Sequence, residues 1–180
     1  MDKFQGEAKG LKVSIQQEDL TILNIYALNV GADTYINQLI TKVKTYLDNN
    51  TLILGDLNTV LSTLDRSSKH NISKETRALN DTLDPMDFTD IYRTLHPNST
   101  EYTFFSSAHG TFSRIDHILG HKLALNRYQK IGIVPCIFSD HNALKLEVNH
   151  NKKFGRTSNT WRLRTILKKD ERVNQEIRKN

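Results

Sequence analysis

The sequence predicts an α/β fold, and three observations carry that prediction. Residues 32–50 place Ile36, Leu39, Ile40, Val43, Tyr46 and Leu47 three and four positions apart, the period of a helix with one buried face. This helix stands between two apolar runs rich in strand formers, 20–27 (Leu-Thr-Ile-Leu-Asn-Ile-Tyr-Ala) and 51–54 (Thr-Leu-Ile-Leu), as a crossover between strands would. Finally, acids and amides gather where apolar strands stop, which is where open α/β sheets bind ligands.

In chain order, residues 11–15 and 20–27 read as two strands around a Gln-Gln-Glu-Asp turn. The helix over 32–50 follows, with Asp33 in its first turn and Asn49-Asn50 as its stop. The run 51–59 (Thr-Leu-Ile-Leu-Gly-Asp-Leu-Asn-Thr) reads as a buried strand ended by Gly55. Strand alternation would then aim Asp56 and Asn58 the same way; a polar turn is the competing reading. A polar loop covers 64–69, and a second helix spans 74–83, ended by Asp84-Pro85. Short strands are expected at 88–92 and 101–105, with a loop of Ser, Ala, His and Gly over 106–113. Around Asp116, Ile115 and Ile118-Leu119 put an acid inside an apolar strand, where it needs a partner. Ser139-Asp140-His141 falls at a bend between an apolar strand and an alternating one.

Composition narrows the class. The chain has 180 residues, 37% hydrophobic and 25% charged, enough for one domain with a sizeable core. Its one cysteine, Cys136, permits neither an internal disulfide nor a cysteine-based zinc site. Residues 1–10 lack the apolar stretch of a signal peptide, and no apolar run approaches the length of a membrane span. Of 25 Lys and Arg and 20 Asp and Glu, residues 151–180 hold ten and three; the first 150 hold 15 and 17. The basicity is therefore a property of the tail, which reads as a polar linker followed by a helix beginning at Leu163, Ile166 and Leu167. The expected units are 1–149 as a domain and 150–180 as a basic linker and helix.

Three strand ends thus supply Asp56, Asn58, Asp116, Asp140 and His141, with Tyr26 near a fourth. Carboxylates suit Mg²⁺, which takes one or two of them plus water and phosphate oxygens. A histidine paired with an acid can orient or deprotonate an attacking water, or bind a phosphate oxygen. Such a set is equipment for metal-assisted phosphodiester hydrolysis.

Gly55-Asp56-Leu57-Asn58, Tyr102-Thr103-Phe104-Phe105, Arg114-Ile115-Asp116-His117 and Ser139-Asp140-His141 resemble the endonuclease/exonuclease/phosphatase superfamily. The strings 14–27 and 90–97 make the resemblance closest to the endonuclease domain of long interspersed element retrotransposons, from about Ser14 through Glu147. The resemblance implies a four-layered α/β sandwich that nicks DNA and leaves a 3′ hydroxyl. It implies Mg²⁺, with Mn²⁺ as the alternative, and DNA as the partner, with the element's RNA reached through the whole protein. It implies an intracellular place, in nucleus and cytoplasm, and says nothing of oligomeric state. By position, Asp56 and Asn58 would orient nucleophile and phosphate, Tyr26 would touch the phosphate, and Asp116 would support His141. Asp140 and Asp56 would meet the metal; Arg66, Thr103 and Ser139 would contact substrate, and the loop 106–113 would enter the minor groove.

Leu57 and Leu28 replace the Phe and Pro usual in the family. The family's first strand, ending in Asn, and the strand bearing its metal-binding Glu precede the matched region, and residues 1–13 contain neither. The domain is therefore expected to be truncated at its amino terminus and a poor nuclease by itself. Two classes stay open: a metal-dependent endonuclease, and a non-catalytic remnant that at most binds DNA.

Overall fold

The computed structural model describes residues 6–15, 18–68, 71–149 and 162–164, with the backbone alone for Ile15, Glu18 and 162–164. Strands β1 (Gly6–Ile15) and β2 (Glu18–Ala27) pair antiparallel along their whole length. β1 begins five residues before the expected Leu11 because its first half alternates small residues with charged ones, a pattern of low strand propensity. The small side suits packing against a helix. A Cβ on Gly6 would lie 2.5 Å from the Tyr35 ring.

Helix α1 (Ala32–Val43) follows, with Ala32, Ile36 and Ile40 buried, and a 3-10 turn carries the chain to Tyr46. The helix thus ends short of the expected Asn50. Asp48 supplies the reason: its carboxylate accepts from the Asn50 N–H at 3.0 Å and the Thr51 hydroxyl at 2.8 Å, a local turn that competes with helix. β3 (Thr51–Asp56) then enters parallel to β2, the crossover that the sequence predicts.

Helix α2 (Lys74–Leu83) has the predicted bounds, its first turn capped by Ser73, whose Oγ accepts from the Thr76 N–H at 2.9 Å. β4 (Phe88–Asp90) stops earlier than predicted, because the Asp90 carboxylate caps the next short helix, α3 (Ile91–Leu95). The strand expected at 101–105 is shifted to β5 (Phe104–Ser106), which forms a hairpin with β6 (Thr111–Ser113). β7 (Asp116–His121) lies antiparallel between β3 and β4. β8 (Tyr128–Val134) and β9 (Ala143–Val148) make a separate antiparallel pair. The apolar strand expected just before Ser139 ends at Val134, and Ile137 and Phe138 stand in solvent at 87% and 92% exposure.

Leu163, expected to open a helix, lies instead in β10 (Arg162–Arg164), paired with the free edge of β1. The rest of that predicted helix lies outside the described residues.

The strand order is β10-β1-β2-β3-β7-β4. One face of this sheet (Leu23, Ile25, Ala27, Ile53, Leu119) packs on α1 and α2 through Ile36, Ile40, Leu79 and Leu83. The other face (Leu20, Leu52, Ile118) packs on α3, β8 and β9 through Ile91, Tyr92, Tyr128 and Ile131. Helices, large sheet and small sheet form three of the four layers that the resemblance implies.

Candidate functional site

Alternation along the strands decides which residues share a face. Tyr26 on β2 shares the parity of Leu20 and Ile22, Asp56 on β3 that of Leu52 and Leu54, and Asp116 on β7 that of Ile118. All three continue the face that packs on the small sheet, beyond the point where its apolar core ends. Asp56 and Asp116 sit directly opposite each other across the β3–β7 ladder.

Asp56 and Asn58 come together, though not through strand alternation. β3 stops at Asp56, and Asn58 has φ 48°, in the left-handed region that Asn tolerates. The Asp56 carboxylate accepts from the Asn58 backbone N–H at 3.0 Å and from its Nδ2 at 3.4 Å, while Nδ2 also donates to the Ala27 carbonyl at 2.9 Å. Both amide hydrogens are thus committed, so Asn58 offers a substrate its carbonyl oxygen. The turn needs Gly55: its φ is 133°, and a Cβ there would meet the Ile25 carbonyl oxygen at 2.0 Å. The polar-turn reading of 55–58 therefore holds, and the turn itself sets the Asp56 and Asn58 side chains against each other.

His141, just before β9, crosses from the small sheet: its Nδ1 lies 2.9 Å from Asp116 Oδ2. The bond leaves Nε2 as the ring atom available to a ligand. One oxygen each of Asp56 and Asp116 and a ring nitrogen of His141 lie within 4.8 Å of one another, all half-buried. Burial lifts the Asp56 carboxyl above its ordinary range; the Asn58 N–H opposes that, and the negative charge of Asp116 adds to it.

The residues fit a divalent cation. Two carboxylates face each other with mutual repulsion that a cation would reverse, and one or two carboxylates are what Mg²⁺ commonly takes from a protein. Asp116 spends one oxygen on His141, so Asp56 and the other Asp116 oxygen are the candidate ligands.

Not every predicted residue joins this group. Tyr26 is on the right face and 48% exposed. Arg66 is exposed and forms an isolated β-bridge with Ser113, beside the β5–β6 hairpin. Asp140, expected at the metal, is exposed and outside the converging ligand atoms; it meets Ser139 Oγ at 3.5 Å. Asp140 lies in the bend over 137–140, which carries its side chain into solvent while His141 turns to Asp116. Ser139 accepts from the His141 N–H at 3.0 Å, a local contact that shapes the bend. Thr103, expected to touch DNA, is buried with 0% exposure, so its place is beneath the site and not at a DNA surface. The loop 106–113 is the turn of the hairpin. Between that hairpin and the 139–142 turn opens a cavity of about 580 Å³ lined by Tyr102, Phe104, Phe105 and Phe112. The Phe104 ring lies 4.8 Å from that of His141.

Sequence reasoning missed a buried network under the site. Arg114, 0% exposed, donates from Nε and Nη2 to Asp65 Oδ1 at 3.2 and 2.6 Å, and its Nη1 lies 2.8 Å from Asp90 Oδ2. Arg93 Nη2 reaches the same Asp65 oxygen at 2.5 Å, and the other accepts from the Leu61 and Ser62 N–H groups. His117 spans Asp90 at 2.8 Å and the Thr59 carbonyl at 2.9 Å. The signal was present: Arg114 precedes Ile115 and an apolar strand, and a charge in that setting needs partners as much as Asp116 does.

The Endonuclease/Exonuclease/phosphatase family pattern matches residues 27–141, which include every residue of the converging group. The chain is 24% identical over 178 residues to an uncharacterized 149 kDa protein of transposon TX1 from Xenopus laevis, covering 96% of this chain and 14% of that protein. Its fold resembles the endonuclease domain of TRAS1, a telomere-specific non-LTR retrotransposon, with a TM-score of 0.66 at 16% identity, over 81% of this chain and 65% of that one. It also resembles an AP endonuclease from Archaeoglobus fulgidus, with a TM-score of 0.65 at 18% identity, over 79% and 65% of the two chains. With its mixed sheet, its two faces of packing and a pattern matched over more than half its length, the chain belongs to the endonuclease/exonuclease/phosphatase family.

Proposed function

We propose that this chain is the DNA-nicking part of a retrotransposon-type protein, hydrolysing a phosphodiester with the help of a divalent cation. The single observation that carries the reading is the meeting of Asp56, Asp116 and His141, drawn from two sheets onto one surface beside Asn58 and Tyr26. The relatives support the retrotransposon assignment: one is a transposon protein and another a retrotransposon endonuclease.

In this reading the attacking water donates a hydrogen bond to the Asn58 carbonyl oxygen and gives its proton to His141 Nε2. Asp116 holds the ring and balances the charge that it gains. The new bond joins the water oxygen to phosphorus; the bond to the 3′ oxygen breaks, and that oxygen takes a proton from solvent water to leave as a hydroxyl, while His141 returns its proton to solvent. The Tyr26 hydroxyl donates to a phosphate oxygen. A bound Mg²⁺ or Mn²⁺ would supply charge neutralisation at the phosphate, held by Asp56 and Asp116. The aromatic wall beside His141 offers bases a stacking surface. The assembled carboxylate pair supports cation-dependent nicking by this chain, against the expectation of a poor nuclease.

Conversion of supercoiled plasmid to open circles tests the reading, measured with Mg²⁺ or Mn²⁺ and again with EDTA. Cation-dependent circles support it; none with either cation favours the remnant reading. The basic tail enters separately. Deleting residues 151–180 removes ten basic groups and is expected to weaken DNA binding and flatten the slope of log K against log salt. An unchanged slope in filter binding would show that the tail does not touch phosphate.

A further inference from the structure

Asp116 opens β7 and His141, 25 positions on, stands outside the named strands just before β9, so no shared ladder sets their 2.9 Å contact. We infer that Thr103 sets it: its buried hydroxyl and backbone clamp the start of β7 to the start of β9, making Thr103 a positioning residue for the pair. The inference rests on the functional reading above.

Four hydrogen bonds carry the argument. Thr103 Oγ1 accepts from the backbone N–H groups of Ile115 at 3.2 Å and Asp116 at 3.3 Å. Its own N–H donates to the Ser113 carbonyl at 3.1 Å, so three points of the chain entering β7 are tied to one residue. On the other side its carbonyl accepts from the Asn142 N–H at 2.7 Å, next to His141. The flanking residues repeat the tie: the Tyr102 carbonyl accepts from Asn142 Nδ2 at 3.3 Å, and Phe104 bridges His141 through the backbone. Thr103 is 0% exposed, so no DNA atom reaches its hydroxyl in this conformation. Without that oxygen, the N–H groups of Ile115 and Asp116 lose this acceptor, and the backbone carrying Asp116 must shift to find another.

The test uses the full chain with Thr103→Val, which keeps the shape and removes the acceptor, and Thr103→Ser, which restores it. Two readouts are taken: amide hydrogen exchange without DNA or metal, and steady-state nicking. Thr103→Val is expected to speed exchange at the Ile115 and Asp116 amides while those of Ile53 and Leu119 hold. It is expected to lower kcat by about tenfold or more with KM for DNA held, since small misplacements of reacting groups cost up to about 10²-fold. Thr103→Ser should return both to near the parent. The clamp is overturned by unchanged exchange at Ile115 and Asp116, by a uniform rise across the core, or by a rise in KM with kcat held. Failure of Thr103→Ser to restore exchange overturns it too. If the parent chain nicks no DNA, the functional reading falls, and exchange alone decides the clamp.

Discussion

Replacing Arg114 with methionine is expected to destabilise the protein by about 3–5 kcal/mol, the cost of removing one partner from a buried ion pair. The total stability of a domain is about 5–15 kcal/mol, so the variant would be close to unfolding at room temperature. The size follows from what is left behind. Arg114 is fully buried and faces both Asp65 and Asp90; without it two buried carboxylates are left with Arg93 on Asp65 and His117 on Asp90. Methionine fills most of the volume and lies over the Tyr92 ring, 4.9 Å from the guanidinium carbon, so packing loss is the smaller part. Urea denaturation gives the value.

The pH dependence identifies the cause. Burial alone would raise the Asp65 carboxyl, but the Arg114 charge, followed by His117 and the Arg93 hydrogen bond, holds it below its ordinary range. Asp90 is likewise lifted by burial and held well below its ordinary range by His117 and Arg114. A carboxyl depressed in the folded state contributes stability that is complete above its unfolded value, about 4, and lost as pH falls below that. The parent should therefore lose stability below about pH 4. In Arg114→Met the two carboxyls move up, so protonation relieves the variant, and its deficit should shrink as the pH is lowered. A deficit constant from pH 7 to pH 3 would assign the loss to packing.

Asp116→Asn and His141→Ala are each expected to lower nicking by about 10²-fold or more, the low end for a positioned acid–base group. Asparagine keeps the shape of Asp116 and can still hold a hydrogen bond to Nδ1, but it presents an amide where a charge should steady the imidazole. It also halves the carboxylates available to a cation. The double variant should be little worse than either single one, because the two residues act as one device. Unlike Arg114→Met, both should unfold near the parent midpoint, since Asp116 and His141 are half-buried and not locked in the core. Plasmid nicking rates beside urea midpoints separate the two kinds of loss.

Local signals were legible in the sequence, and distant partnerships were not. The β2-α1-β3 crossover and the bounds of α2 follow from apolar period and capping residues. The Asp56, Asp116 and His141 group follows from strand-end chemistry together with the resemblance. Asn58 meets Asp56, but a backbone at positive φ, and not the expected alternation, turns it there. The resemblance implies a substrate contact for Thr103; only the fold reveals that its hydroxyl meets two N–H groups 12 and 13 positions away. Asp65 and Arg114 are 49 positions apart, and no short-range rule joins a polar loop to the head of a strand. Asp140 stands in solvent because the bend over 137–140, which no local signal in the sequence orients, turns it away from Asp56 and Asp116.

The measurement that tests the central claim most directly is cation-dependent nicking by the chain itself, read beside Mn²⁺ binding by electron paramagnetic resonance. The account predicts that the parent binds Mn²⁺ and converts supercoiled plasmid to open circles, that EDTA stops it, and that Asp56→Asn with Asp116→Asn abolishes both binding and nicking in a protein that stays folded. Mn²⁺ binding undiminished in that double variant, or nicking that survives it, would contradict the account.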